Sequence, residues 1–222
     1  CSGYELVVNY DGEYPAVKET DIQQMIEDNH IETIGVPLKD VDLEQIAQHL
    51  QENPYIEKVN EVRFSSTRLR IVITLKNILL HVYAQDGSQY FVDENGFMLP
   101  FSMVVTENVP IANGRIPDTF VQGKNVKNSN SNLHRVFRIA AYMSNDDFYR
   151  AQFRQLYVTN TNEVILVPTV GRHKIIFGTD KDMEEKLFNL KQAYQQGMAY
   201  MGMDQYKTLD VRYKNRVIAK KR

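Results

Sequence analysis

Apolar and polar positions along this chain change their period several times, and each change marks an element. Leu43, Ile46, Ala47 and Leu50 recur at i, i+3, i+4 and i+7, which predicts a helix with one apolar stripe. Asp42 stands where a helix cap accepts backbone N–H bonds, with Gln45 three residues on, and Asn53-Pro54 supplies the stop. Ile56 to Arg63 and Leu69 to Leu75 are rich in Ile, Val, Leu and Phe and flank Ser65-Ser66-Thr67, which predicts a hairpin. Upstream, Glu5 to Tyr10 reads as a short strand. Thr20 with Gln23 reads as a cap for a helix carrying Ile22, Met25 and Ile26. The first part is therefore expected to be β-α-α-β-β.

Beyond Lys76 the pattern turns to short strands separated by turn residues. Strands are expected at Leu79 to Ala84, Tyr90 to Val92, Gln155 to Val158, Val164 to Val167 and Lys174 to Phe177, with Asp86-Gly87 and Asn95-Gly96 as turns. Two helices are expected. One is Leu133 to Met143, with Leu133, Val136, Phe137 and Ala140 on one face. The other runs from about Lys181 to Gln196, with Met183, Leu187, Leu190 and Tyr194 as its stripe. Thr208 to Tyr213 and Arg216 to Ala219 read as closing strands around Lys214-Asn215. Leu209, Val211 and Tyr213 are placed on the buried face. The fold class is α+β, with domains at 1–77 and 78–222, the second a mostly antiparallel β domain with two helices.

Composition narrows the function by exclusion. With 222 residues, 43% hydrophobic and 24% charged, the chain can bury one or two ordinary cores. A formal net charge of −2 gives no field to gather nucleic acid. The one cysteine, Cys1, excludes an internal disulfide and leaves the compartment open. Cys1-Ser-Gly fits either the acylated end of a bacterial lipoprotein or a start just past a removed anchor, and the second is the expectation.

No catalytic arrangement emerges. His30, His49, His81, His134 and His173 lack metal-ligand spacing, and no Gly-x-Ser-x-Gly elbow, P-loop or Gly-x-Gly-x-x-Gly fingerprint occurs. Asp93-Glu94 and Asp146-Asp147 read as turn formers and solvated charge. The expectation is no enzyme, no catalytic residue, no metal, no cofactor and no small-molecule substrate. The closing strand, Val217-Ile218-Ala219, is read as a sheet edge open to an added strand. Arg212, Lys214, Arg216, Lys220, Lys221 and Arg222 around it fit protection of that edge or selection of an acidic partner equally.

The helix, Asn-Pro stop and hairpin resemble the back half of a POTRA module, a unit that docks other polypeptides. Over nearly its whole length the chain resembles the bacterial cell-division family FtsQ/DivIB, in particular its Bacteroidetes-type members. The similarity lies in Asn53-Pro54-Tyr55-Ile56-Glu57-Lys58-Val59, Leu69-Arg70-Ile71-Val72-Ile73 and Tyr90-Phe91-Val92-Asp93-Glu94-Asn95-Gly96. It continues in Met98-Leu99-Pro100-Phe101-Ser102, Phe177-Gly178, Glu185-Lys186-Leu187 and Leu209-Asp210-Val211-Arg212-Tyr213. Leu75-Lys76-Asn77-Ile78 departs from the Glu-Arg-x-Pro or Gln-Arg-x-Pro common in the family.

The resemblance implies an N-terminal POTRA domain and a β domain on the periplasmic face of the bacterial inner membrane, at the division septum. A removed N-terminal transmembrane helix would anchor them. It also implies a non-enzymatic scaffold of the divisome whose last strand receives a strand from FtsB within an assembly with FtsL. Carried onto this chain, the partner-binding residues are Tyr213, Asn215, Val217, Ile218 and Ala219, with Tyr206 and the 181–196 helix nearby and Arg154 as a flanking contact. The alternatives are a POTRA-bearing envelope assembly or translocation factor, and a lipoprotein enzyme of the cell envelope.

Overall fold

The computed structural model describes residues 3–10, 37–102, 109–198 and 203–222, with Thr20 and Gln24. The chain divides into two compact units. One is Cys1–Ile78 with Phe101–Asn108, the other Leu79–Pro100 with Val109–Arg222.

In the first unit, β1 (Tyr4–Asn9), α1 (Leu43–Gln51), β2 (Ile56–Ser65) and β3 (Arg68–Leu75) follow in order. The expected helix with Ile22, Met25 and Ile26 lies largely outside the described residues. Asp42 caps α1, its Oδ1 accepting from the Glu44 and Gln45 N–H groups at 3.0 Å each. These bonds satisfy donors that the first helical turn leaves without partners. The sheet order is β1-β3-β2, with β1 parallel and β2 antiparallel to the central β3. Leu69, Ile71, Ile73 and Leu75 are buried along one face of β3, and Leu6, Ile46, Leu50, Tyr55 and Ile56 of the same unit are buried as well. Gln51 at the end of α1 bonds the flank of β2, donating to the Glu57 carbonyl (3.2 Å) and accepting from the Val59 N–H (3.0 Å).

The second unit is built on a nine-stranded sheet: β4 (Ile78–Tyr83), β5 (Gln89–Asp93), β6 (Met98–Pro100), β7 (Ile111–Gly114), β8 (Phe153–Val158), β9 (Val164–Pro168), β10 (Lys174–Gly178), β11 (Tyr206–Asp210) and β12 (Ile218–Lys221). Its order is β12-β11-β10-β9-β8-β7-β4-β5-β6. The pairs β5–β6, β8–β9, β9–β10 and β11–β12 are antiparallel, whereas β4–β7, β7–β8 and β10–β11 are parallel. The helices are α2 (Asn132–Met143), α3 (Asp147–Gln152) and α4 (Met183–Gln192), the last continued by a π-helical stretch, Ala193–Met198. One cluster buries Leu133, Val136, Phe137, Leu187 and Leu190 of the helices with Leu156, Leu166, Ile175, Phe177 and Leu209 of the strands.

Three departures from the sequence reading have local causes. Helix α3 was not expected. Asp146 is its cap, accepting from the Phe148 N–H at 2.9 Å, and six residues are too few to display an apolar stripe. The closing strands lie at 206–210 and 218–221 rather than 208–213 and 216–219. Asp210 accepts from the Arg212 N–H (3.1 Å), the Asx-type bond by which aspartate starts a turn. Tyr213 therefore leaves the buried face of Leu209 and Val211 and is 48% exposed.

Candidate functional site

A sheet ends in two edge strands, and here the two ends differ. At β6 a neighbouring loop covers the outer side. The Met98 N–H donates to the Lys124 carbonyl (2.9 Å) and the Met98 carbonyl accepts from the Gly123 N–H (3.3 Å). At the other end, among the described residues, β12 pairs with β11 alone. Its four residues are all exposed. Alternate backbone N–H and C=O groups on its outer side are therefore available to another strand.

The turn before β12 is tied down by a charged network. The Arg212 guanidinium donates to Asp210 Oδ1 (3.0 Å), to Asp210 Oδ2 (2.7 and 3.3 Å) and to Glu163 Oε1 (2.9 Å). The hydrogen bonds it donates to Asp210 and then to Glu163 push its pKa above its already high ordinary value. Gly178, at φ +79°, makes room for this side chain, since a Cβ there would stand 2.9 Å from Arg212 Cγ. The ring of Tyr213 lies 6.0 Å from that guanidinium, within cation–π range. Asn215 adopts φ 56°, a conformation that asparagine tolerates better than most residues. Val217 is partly buried against the core, and Ile218 beyond it is 45% exposed.

Tyr213, Asn215, Val217, Ile218 and Ala219 thus form one continuous segment entering and occupying the edge. Tyr206 is set apart by burial: it is 6% exposed on β11 and belongs to the core. Arg154 is set apart by distance. It is exposed on β8, four strands in from β12, or about 19 Å at a strand spacing of about 4.8 Å.

The sequence reading also passed over Phe188. It is 59% exposed on α4, three residues beyond Glu185, whose Oε1 accepts from the Asn215 N–H (3.0 Å). Side chains three apart share a helix face, so Phe188 projects from the side of α4 that meets the turn. The signal was present: a phenylalanine out of phase with the stripe of Leu187 and Leu190, hence on the helix face that the stripe leaves to solvent.

Several of the groups weighed for chemistry have structural partners, and His30 lies outside the described residues. Asp93 Oδ1 accepts from the Phe97 N–H (2.8 Å) and shapes the Asn95-Gly96 turn. Buried His173 meets the Tyr194 hydroxyl (2.5 Å), and burial lowers its pKa. Among the described residues no three His, Cys, Asp or Glu side chains are grouped to hold a metal ion. No described helix is long and apolar enough to cross a membrane.

A family model described as FtsQ/DivIB, C-terminal related, matches residues 79–220, more than half the chain. A second, described as a POTRA-like domain, matches residues 1–74. No curated protein matches the chain.

Proposed function

The chain belongs to the FtsQ/DivIB family, and on that premise we propose that β12 is the edge at which it receives a strand from FtsB, within an assembly that includes FtsL. The family gives the chain a cell-division scaffold role at the division site, in association with the membrane, and both matched domain types are non-catalytic. We further propose that it is the periplasmic part of a single-pass inner-membrane protein, that it carries no enzymatic activity, and that it folds as two domains, 1–77 and 78–222.

The observation that carries this reading is the asymmetry of the nine-stranded sheet. The β6 edge is covered by residues 123–124, whereas β12 is exposed and pairs on one side. Exposed Tyr213, Ile218 and Phe188 around it supply apolar anchors, and interface energy concentrates in such residues. Backbone pairing supplies affinity, and alternate side chains supply specificity. The proposed contact comprises Tyr213, Asn215, Val217, Ile218 and Ala219. Tyr206 supports it from the core, and Arg154 is left out.

Titration calorimetry with the cognate FtsB periplasmic segment tests this. Tyr213→Ala and Ile218→Pro are expected to weaken binding at least tenfold, roughly 1.4 kcal/mol, while keeping native melting. Wild-type affinity in both folded variants places the contact elsewhere.

A further inference from the structure

The edge is chemically different at its two ends, and the register shows how. Ile218 pairs with Asp210, which pairs in turn with Ile176 of β10 and then Ile165 of β9. The single charge in that row, Asp210, is already engaged by Arg212. Two residues along the strand, on the same face, Lys220 pairs with Thr208 and Thr208 with Lys174. This row carries two lysines and no carboxylate. Arg172, Lys174, Lys207, Thr208 and Arg222 surround a hollow of about 490 Å³. Among the described residues, none of these cations nor Lys220 forms an ion pair with a carboxylate. The end of the chain is nevertheless held in place. The Arg222 N–H donates to the Gln205 carbonyl (3.0 Å), and its guanidinium donates to the Arg172 carbonyl (2.9 Å).

Protection of an edge against aggregation accounts for lysines on β12. It does not account for Lys174 and Lys207, which lie on the interior strands β10 and β11. Gathering five cations in a chain of net charge −2 costs repulsion that one nearby acid, Asp204, offsets only in part, and a further anion among them relieves the rest.

We propose that the segment adding to β12 is acidic where it lies against Lys220 to Arg222, with carboxylates entering the hollow. This rests on β12 being the docking edge. A residue opposite Lys220 has its Cβ about 4.5–5.5 Å from that of Lys220 on the same face, so an aspartate or glutamate there pairs with it directly. The position two residues away faces Ile218 and takes an apolar side chain. Acidic and apolar positions in the partner strand are therefore two residues apart.

The test measures association of the cognate FtsB segment, at low and high salt, with wild-type protein, with Lys174→Glu/Lys220→Glu, and with Lys124→Glu/Lys127→Glu as a control away from this edge. Melting curves confirm folding. The expected result is an association rate lowered about tenfold in the first variant, with most of the salt dependence lost, and no change in the control. Wild-type rate and salt dependence in the folded first variant overturn the proposal while leaving the docking edge intact. Absence of any binding to wild-type protein overturns the docking edge itself, and the proposal with it. If the first variant keeps its segment binding but loses flotation with vesicles containing anionic phospholipid, the hollow takes lipid phosphate and the proposal falls.

Discussion

The backbone N–H of Asn215 donates to Glu185 Oε1 at 3.0 Å, so the turn that delivers the chain into β12 is tied to helix α4. The bond fixes where the edge strand begins and sets Phe188 of α4 on the flank facing that turn. It also gives Asn215 a positioning role, since its side chain need not touch a partner for the residue to matter.

Glu185→Ala removes that acceptor. One exposed hydrogen bond contributes about 0.5–1.5 kcal/mol, so a loss of stability in that range is expected. A larger effect is expected on the edge: faster amide exchange at residues 213–218 than in wild type, with β3 of the other unit unaffected. Hydrogen exchange with mass spectrometry checks both.

Gly114 ends β7 at φ +94°, and a Cβ there would stand 2.2 Å from the Val158 carbonyl oxygen. Gly114→Ala is expected to cost about 1–3 kcal/mol through backbone strain, with the clash added. Chemical denaturation of residues 78–222 measures it. A stability equal to wild type contradicts the parallel pairing of β7 with β8.

Leu50 is buried in the first unit together with Ile46, Ile71 and Ile73. A fragment of residues 1–77 is expected to unfold cooperatively by itself, and Leu50→Ala to destabilise it by about 2–5 kcal/mol. A fragment without a cooperative transition contradicts the division into independently folding domains.

Burial lowers the pKa of His173 below its ordinary 6.5. Asp204 opposes this and Arg222 adds to it, while the Tyr194 hydroxyl meets the ring directly. The unfolded chain therefore binds the proton more readily than the folded one. The contribution of His173 to stability is fully present above about pH 6.5 and is lost as pH falls toward the depressed folded value. His81, lowered chiefly by burial, acts in the same direction. Melting temperature is expected to fall between pH 7 and pH 5, with a shallower slope in His173→Gln. Equal slopes contradict the buried, neutral ring.

Local patterns were legible where one segment carries its own evidence. Helix α1 shows a capping aspartate, a stripe and a proline stop within thirteen residues, 42–54, and β3 alternates without interruption. Helix α3 was hidden by its shortness. The limits of β11 and β12 were hidden because the turn depends on Glu163 and Glu185, which are remote in sequence. The placement of β7 between β4 and β8 comes from long-range parallel pairing, which leaves no periodic trace. The proposed contact residues, Tyr213 to Ala219, came from a resemblance in sequence order, and being nearly consecutive they lie together at the edge. Arg154 came from the same source and is separated from them by three intervening strands, β9, β10 and β11.

The central claim is strand addition at β12, and amide exchange of the 78–222 unit with and without the cognate FtsB periplasmic segment tests it most directly. An added strand bonds outward-facing N–H groups of the exposed residues Ile218 to Lys221, so those amides are expected to slow on binding, while those of β6, already covered by residues 123–124, stay unchanged. Saturating binding without added protection anywhere in residues 216–222 would contradict the account.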